Sequence, residues 1–99
     1  MASQKGGGHP GWRPQFEWDE HNEDKLLANH GVSAADAEQC FGNRHTRRRS
    51  GRALLMLGVT DAGRMLFIAY EQKRDGVVRV YSAREMTDGE RRAYRRNTR

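Results

Sequence analysis

Gly76-Val77-Val78-Arg79-Val80-Tyr81-Ser82-Ala83-Arg84, followed by Thr87-Asp88-Gly89-Glu90, is the stretch on which the fold turns. Val78 and Val80 flank Arg79 with the period of two expected of a strand that buries one face. Thr87-x-x-Glu90 carries the residues of a capping box, in which the N-cap hydroxyl and the N3 carboxylate satisfy each other's backbone N–H groups. A strand over Val77–Ser82 therefore runs into a helix that begins at Thr87. Working backwards, Asp75-Gly76 is a hairpin turn signal and pairs this strand with Met65–Glu71. Asp61-Ala62-Gly63 in turn joins Met65–Glu71 to Ala53–Val59, which completes an antiparallel meander.

Upstream of the meander the pattern is helical. Asp19 is a good N-cap for a helix to about Asn29, with Glu20 and Glu23 favourable in its first turn and Gly31 as its stop. Ser33 caps a second helix to about Phe41, whose Ala34, Ala37, Cys40 and Phe41 share one face. A short strand over Gln15–Trp18 precedes the first helix. The last helix has a thin apolar face of Met86, Ala93 and Tyr94, so it gains little from burial and should dock weakly. The fold class is α+β, with element order β-α-α-β-β-β-α and a small antiparallel sheet packed against helices.

With 99 residues and 35% of them hydrophobic, the chain can build one thin core. Residues 14–99 form that single domain. The glycine-rich residues 1–13 read as a flexible leader. The N-terminus has no apolar signal-peptide region and no apolar run reaches the roughly 20 residues of a membrane span. Cys40 is the only cysteine, so neither an intramolecular disulfide nor a cysteine metal cluster can form. A cytoplasmic protein without a membrane partner is the expectation.

The formal charge of +5 favours a polyanionic partner, and its distribution is more telling than its size. Residues 14–42 hold the acids Glu17, Asp19, Glu20, Glu23, Asp24, Asp36 and Glu38 against Lys25, whereas residues 43–99 hold fifteen bases and six acids. One surface can thus face a phosphate backbone while the acidic helices face elsewhere. The run Arg44-His45-Thr46-Arg47-Arg48-Arg49-Ser50-Gly51-Arg52 has five arginines and no acid. As a flexible basic hairpin, Arg47, Arg48, Arg49 and Arg52 can grip phosphates without reading sequence; the alternative is a solvated loop.

Phe16-Glu17-Trp18-Asp19, His30-Gly31-Val32, Phe41, Arg52, Gly58, Gly63-Arg64, Leu66, Tyr70, Arg79, Ser82-Ala83-Arg84, Glu90 and Tyr94 together resemble the BrnT family of ribonuclease toxins from bacterial type II toxin–antitoxin systems. The resemblance spans residues 16–95. It implies a RelE-like fold whose curved sheet carries RNA-binding arginines, metal-independent RNA cleavage that inhibits translation, and a BrnA-like antitoxin through which alone operator DNA is reached. The chain departs from the family pattern at Asn22 and Asn29, where lysines are usual, and at Leu26, where asparagine is usual.

RNA cleavage without a metal needs a base for the 2′-hydroxyl, positive groups for the charge growing on phosphate, and an acid for the leaving 5′-oxygen. Arginine suits the middle role because its planar fork binds two phosphate oxygens. Arg79, Arg64 and Arg84 are the candidates, and a hairpin register can bring Arg64 and Arg79 to one face. Arg84 can equally tie down the helix that follows. Glu38 and Glu71 are candidate bases if burial or an arginine tunes them. Tyr81 can stack on a base or serve as the acid; packing is its alternative, as it is for Tyr94. His30, just before Gly31, suits a cap at a helix C-terminus, and Trp12 and Trp18 suit packing. No histidine spacing marks a zinc site, so no metal and no cofactor is assigned. The rival to a toxin that cuts RNA is a binding or corepressor module of the same fold without catalysis.

Overall fold

The computed structural model describes residues 11–98. Three helices and four strands follow in the order α1 Glu20–His30, α2 Ala34–Gly42, β1 Thr46–Ser50, β2 Ala53–Val59, β3 Met65–Gln72, β4 Val78–Glu85 and α3 Asp88–Asn97. The strands form one antiparallel sheet in sequence order. This is the α+β architecture expected.

All three helix starts carry the anticipated caps. Asp19, Ser33 and Thr87 each accept from the backbone of the third residue on, and Asn22, Asp36 and Glu90 bond back to the cap N–H. Gly31 ends α1 at φ 64°, a conformation that side chains with a Cβ resist.

Two elements differ from the sequence expectation. The arginine run is not a loose loop: Thr46–Ser50 is an edge strand paired with β2, and Gly51-Arg52 closes the hairpin, with Gly51 at φ 63°. A positive φ at the first central residue only is the type II′ geometry that matches strand twist. The strand at Gln15–Trp18 shrinks to one parallel bridge, Phe16 to Val78, with Val78 N–H donating to Gln15 O and Glu17 N–H to Val78 O, both at 2.9 Å. Residues 1–10 of the expected leader lie outside the described residues. Trp12 packs on Phe41 at 5.6 Å between ring centroids, so it serves as the packing anchor anticipated for it.

The helices α1 and α2 cover one face of the sheet. Met56, Leu66, Ile68, Tyr70, Val78, Val80 and Ala83 point into that core and meet Leu26, Val32, Ala37, Cys40 and Phe41. Gly58 lets α2 approach β2: a Cβ there would lie 3.0 Å from Cys40 Cβ and 3.3 Å from Met56 Sδ. His45 is buried beside Phe41 and Trp12, with Nδ1 2.8 Å from Asn43 O. Burial holds its pKa below the ordinary value, partly offset by that hydrogen bond, so it stays neutral near pH 7.

Candidate functional site

Val78 and Val80 face the core, yet so does Ala83, an odd number after two even ones. The reason is an irregularity in the ladder: Tyr70 pairs with Val80 and Ala69 with Ser82, leaving Tyr81 as an extra residue in β4. A β-bulge of this kind shifts the alternation by one. Without it, a strict period of two would aim Arg84 at the face of Val78 and Val80. With it, Arg79 and Arg84 both lie on the face opposite the core that α1 and α2 cover, and Tyr81 stands out between them, 47% exposed. The outward face therefore carries a row of Arg79, Tyr81 and Arg84 on an edge strand.

Arg79 pairs across the hairpin with Glu71. Its Nη2 donates to Asp19 Oδ2 at 3.0 Å, and 28% of its side chain remains exposed. The cap N–H of Asn22 and the Arg79 guanidinium hold the Asp19 carboxyl below the usual carboxylate range; in return Asp19 raises the Arg79 pKa. Glu71 accepts a hydrogen bond from the Tyr81 hydroxyl. A carboxylate, a phenol and a guanidinium thus gather at one end of the sheet.

Arg84 has a different setting. Its fork holds Glu90, Nη1 to Oε1 at 2.8 Å and Nη2 to Oε2 at 3.0 Å, while its Cζ lies 4.2 Å from the Phe67 ring centroid. Glu90 raises the Arg84 pKa, and Arg84 lowers that of Glu90. Because Glu90 also caps α3 through Thr87, this pair ties the helix to β4. Tyr94 adds a second tie, its hydroxyl donating to Arg44 O at 2.8 Å. Between α3 and the sheet runs a groove of about 520 Å³ whose lining includes Thr46, Arg48, Leu55, Leu57, Phe67 and Ala93. Its floor is apolar and its rim basic.

The remaining sequence candidates are dispersed. Arg64 precedes β3 at the far end of the hairpin from Arg79, since Leu66 pairs with Glu85 and Glu71 with Arg79. Seven residues of extended chain put roughly 23 Å between the two positions, so the register separates what it was expected to join. Arg64 instead locks the end of α1, donating to Gly31 O at 2.8 Å and His30 O at 3.1 Å and pairing with Glu85 and with Asp36 at 3.5 Å. Its cationic fork there answers the negative end of the helix dipole. His30 contributes its carbonyl to that lock.

Glu38 sits on α2, where its Oε2 accepts from Trp18 Nε1 at 2.7 Å, in the helical layer and away from the outward face. On β1 the register with Met56 turns Arg47 toward the helix side, its Cζ 5.2 Å from the Trp12 ring centroid. Arg49 follows Arg47 in alternation, Arg48 faces outward beside Leu55, and Arg52 stands at the hairpin tip. Asn22, one of the departures from the family pattern, is buried and caps α1, while its Nδ2 donates to Val80 O at 3.3 Å. Leu26, another, is 3% exposed and belongs to the core. Asp19 was not among the sequence candidates for the site; its cap signal explained it fully, and only the fold brings it to Arg79.

Among the described residues no cluster of three or more His, Cys, Asp or Glu could hold a metal ion, and no helix is long and apolar enough to cross a membrane. What remains is a small α+β domain whose outward sheet face bears arginines beside the groove under α3. The sequence model of the family described as the ribonuclease toxin BrnT of type II toxin–antitoxin systems matches residues 18–90. The chain belongs to that family. Comparison with individual curated proteins finds no match.

Proposed function

We propose that the outward sheet face binds RNA and cuts it without a metal, and that the chain inhibits translation in this way until a BrnA-like antitoxin covers the same face. The observation that carries this reading is the bulge at Tyr81, which sets Arg79 and Arg84 on one open face and brings the Tyr81 hydroxyl onto Glu71.

In the reaction, Glu71 accepts the proton of the attacking 2′-hydroxyl, directly or through Tyr81. Arg79 holds the phosphate oxygens as negative charge grows on them, since a permanently charged fork serves a phosphorane better than a point charge. Tyr81 gives its hydroxyl proton to the leaving 5′-oxygen and takes back from Glu71, through their hydrogen bond, the proton removed from the 2′-hydroxyl, so both groups return to their starting states. Arg84 lies four ladder steps from Arg79 because of the bulge, roughly 13 Å, and with its fork on Glu90 it holds α3 beside the RNA track and leaves the reacting phosphate to Arg79. Arg48 and the hairpin tip at Arg52 extend the basic track, while the groove beside Phe67 receives an unstacked base.

The exposed Asn29, at a position where the family usually has lysine, favours one rival: a module that binds RNA or acts as a corepressor without cutting. Cleavage of a defined RNA by purified protein with a chelator present separates the two. Products ending in 2′,3′-cyclic phosphate and 5′-hydroxyl are expected. Strict magnesium dependence would overturn the mechanism, and binding without cleavage, with or without ribosomes, would favour the module.

A further inference from the structure

We propose that Asp19 is a positioning residue for this site: its carboxylate orients the Arg79 guanidinium toward the reacting phosphate. The inference rests on Arg79 being the phosphate-binding group.

The two oxygens of Asp19 have separate tasks. Oδ1 accepts from Asn22 N at 2.9 Å and caps α1, while Oδ2 accepts from Arg79 Nη2 at 3.0 Å. The cap is itself immobilised. Asn22 Oδ1 accepts from Asp19 N at 2.9 Å, and Asn22 Nδ2 donates to Val80 O at 3.3 Å, next to Arg79 on β4. The start of α1 is therefore pinned to the strand that bears the arginine, and the carboxylate is fixed relative to both.

Arg79 needs such a partner. A long side chain on an edge strand samples many rotamers, and a preorganised charge requires one. Two other carboxylates lie near it but are engaged: Glu17 with Lys73 Nζ at 2.6 Å and Glu71 with the Tyr81 hydroxyl. Asp19 accepts from one of the three guanidinium nitrogens, so it can set the plane of the fork without covering it. The Asn22 N–H at the cap and this charge-assisted bond to Arg79 both hold the Asp19 carboxyl below the usual carboxylate range.

Asp19→Asn tests this cleanly, because asparagine caps a helix as well as aspartate does but carries no charge for Arg79. Single-turnover cleavage of an RNA oligonucleotide and melting curves are measured for wild type, Asp19→Asn, Arg79→Ala and the double variant. The expected result is a fall in the rate at saturating enzyme of about tenfold or more, with RNA affinity and melting temperature little changed. In the Arg79→Ala background the second change should cost nothing further. An unchanged or faster rate for Asp19→Asn would overturn the inference, the faster rate identifying Asp19 as a competitor for the phosphate. So would a tenfold loss that recurs without Arg79. If Arg79→Ala cleaves like wild type, the reading of the site falls and Asp19 falls with it. If Arg79→Ala is inactive while Asp19→Asn is fully active, only the role of Asp19 is lost. Should Asp19→Asn fail to fold, Asp19→Ser retains a cap, is too short to reach Arg79, and carries the same expectations.

Discussion

Replacing Arg79 by alanine is expected to lower RNA cleavage by about 10²- to 10³-fold while the protein keeps its fold. The size follows from the loss of one preorganised donor group at a developing oxyanion. The fold survives because the side chain faces away from the core between Val78 and Val80, and its ion pair with Asp19 is partly exposed. Exposed pairs of this kind contribute little to stability. Arg79→Lys should recover only part of the rate, because the charge returns without the fork. Cleavage rates and melting curves of the two variants check this. A large drop in melting temperature for Arg79→Ala would make the residue structural, and unchanged cleavage would remove it from the site.

Phe41→Ala should produce the largest loss of stability. Phe41 is 0% exposed and joins three parts of the chain, with ring centroids 5.0 Å from Phe16, 4.9 Å from Tyr70 and 5.6 Å from Trp12. Truncating such a ring costs about 3–5 kcal/mol, against a total of roughly 5–15 kcal/mol for a domain. For a chain of this size that corresponds to a fall in melting temperature of roughly 15 °C or more. A fall below roughly 5 °C, followed by circular dichroism, would show that the aromatic junction is not where the core is held.

Much of this architecture is legible from local chemistry. Asp19, Ser33 and Thr87 announce helices because caps act through residues three apart, and the apolar strands β2, β3 and β4 announce themselves by composition and by turns such as Asp75-Gly76. Strand β1 is not legible in this way. Thr46-Arg47-Arg48-Arg49-Ser50 has no apolar alternation, and it is a strand because β2 offers it a free edge. Nor is the site fully legible. The extra residue at Tyr81 has no local signature, yet it decides which face Arg84 takes. The separation of Arg64 from Arg79 follows from the hairpin register set by the turn at Asp75-Gly76, which places Arg64 at the opposite end of β3 from the partner of Arg79. Glu38 and Glu71 look alike as isolated carboxylates, and only the packing assigns one to Trp18 and the other to Tyr81.

The alternation of Arg47 and Arg48 has a functional consequence of the same kind. Both border the groove with Leu55, Leu57 and Phe67, but Arg48 faces it outward beside Leu55 whereas Arg47 sets its guanidinium over Trp12. A basic run read as one uniform grip is thus divided between two faces. Under the proposed reading, an antitoxin segment that masks the outward face meets the Arg48 side chain from this strand, together with Arg79, Tyr81 and Arg84. Its acidic side chains would complement them and its apolar ones would fill the groove.

The most direct test maps where RNA sits. A short RNA with 2′-O-methyl groups cannot be cut by attack of a 2′-hydroxyl, so its complex with the wild-type protein can be followed by NMR. Shifts are expected in the Leu55 and Leu57 methyls and in the Arg79 and Arg84 side chains, with the core methyls of Met56 and Ile68 little affected. Shifts confined to the helical layer, at the exposed Leu27 of α1 or at Ala35 of α2, would contradict a site on the outward sheet face.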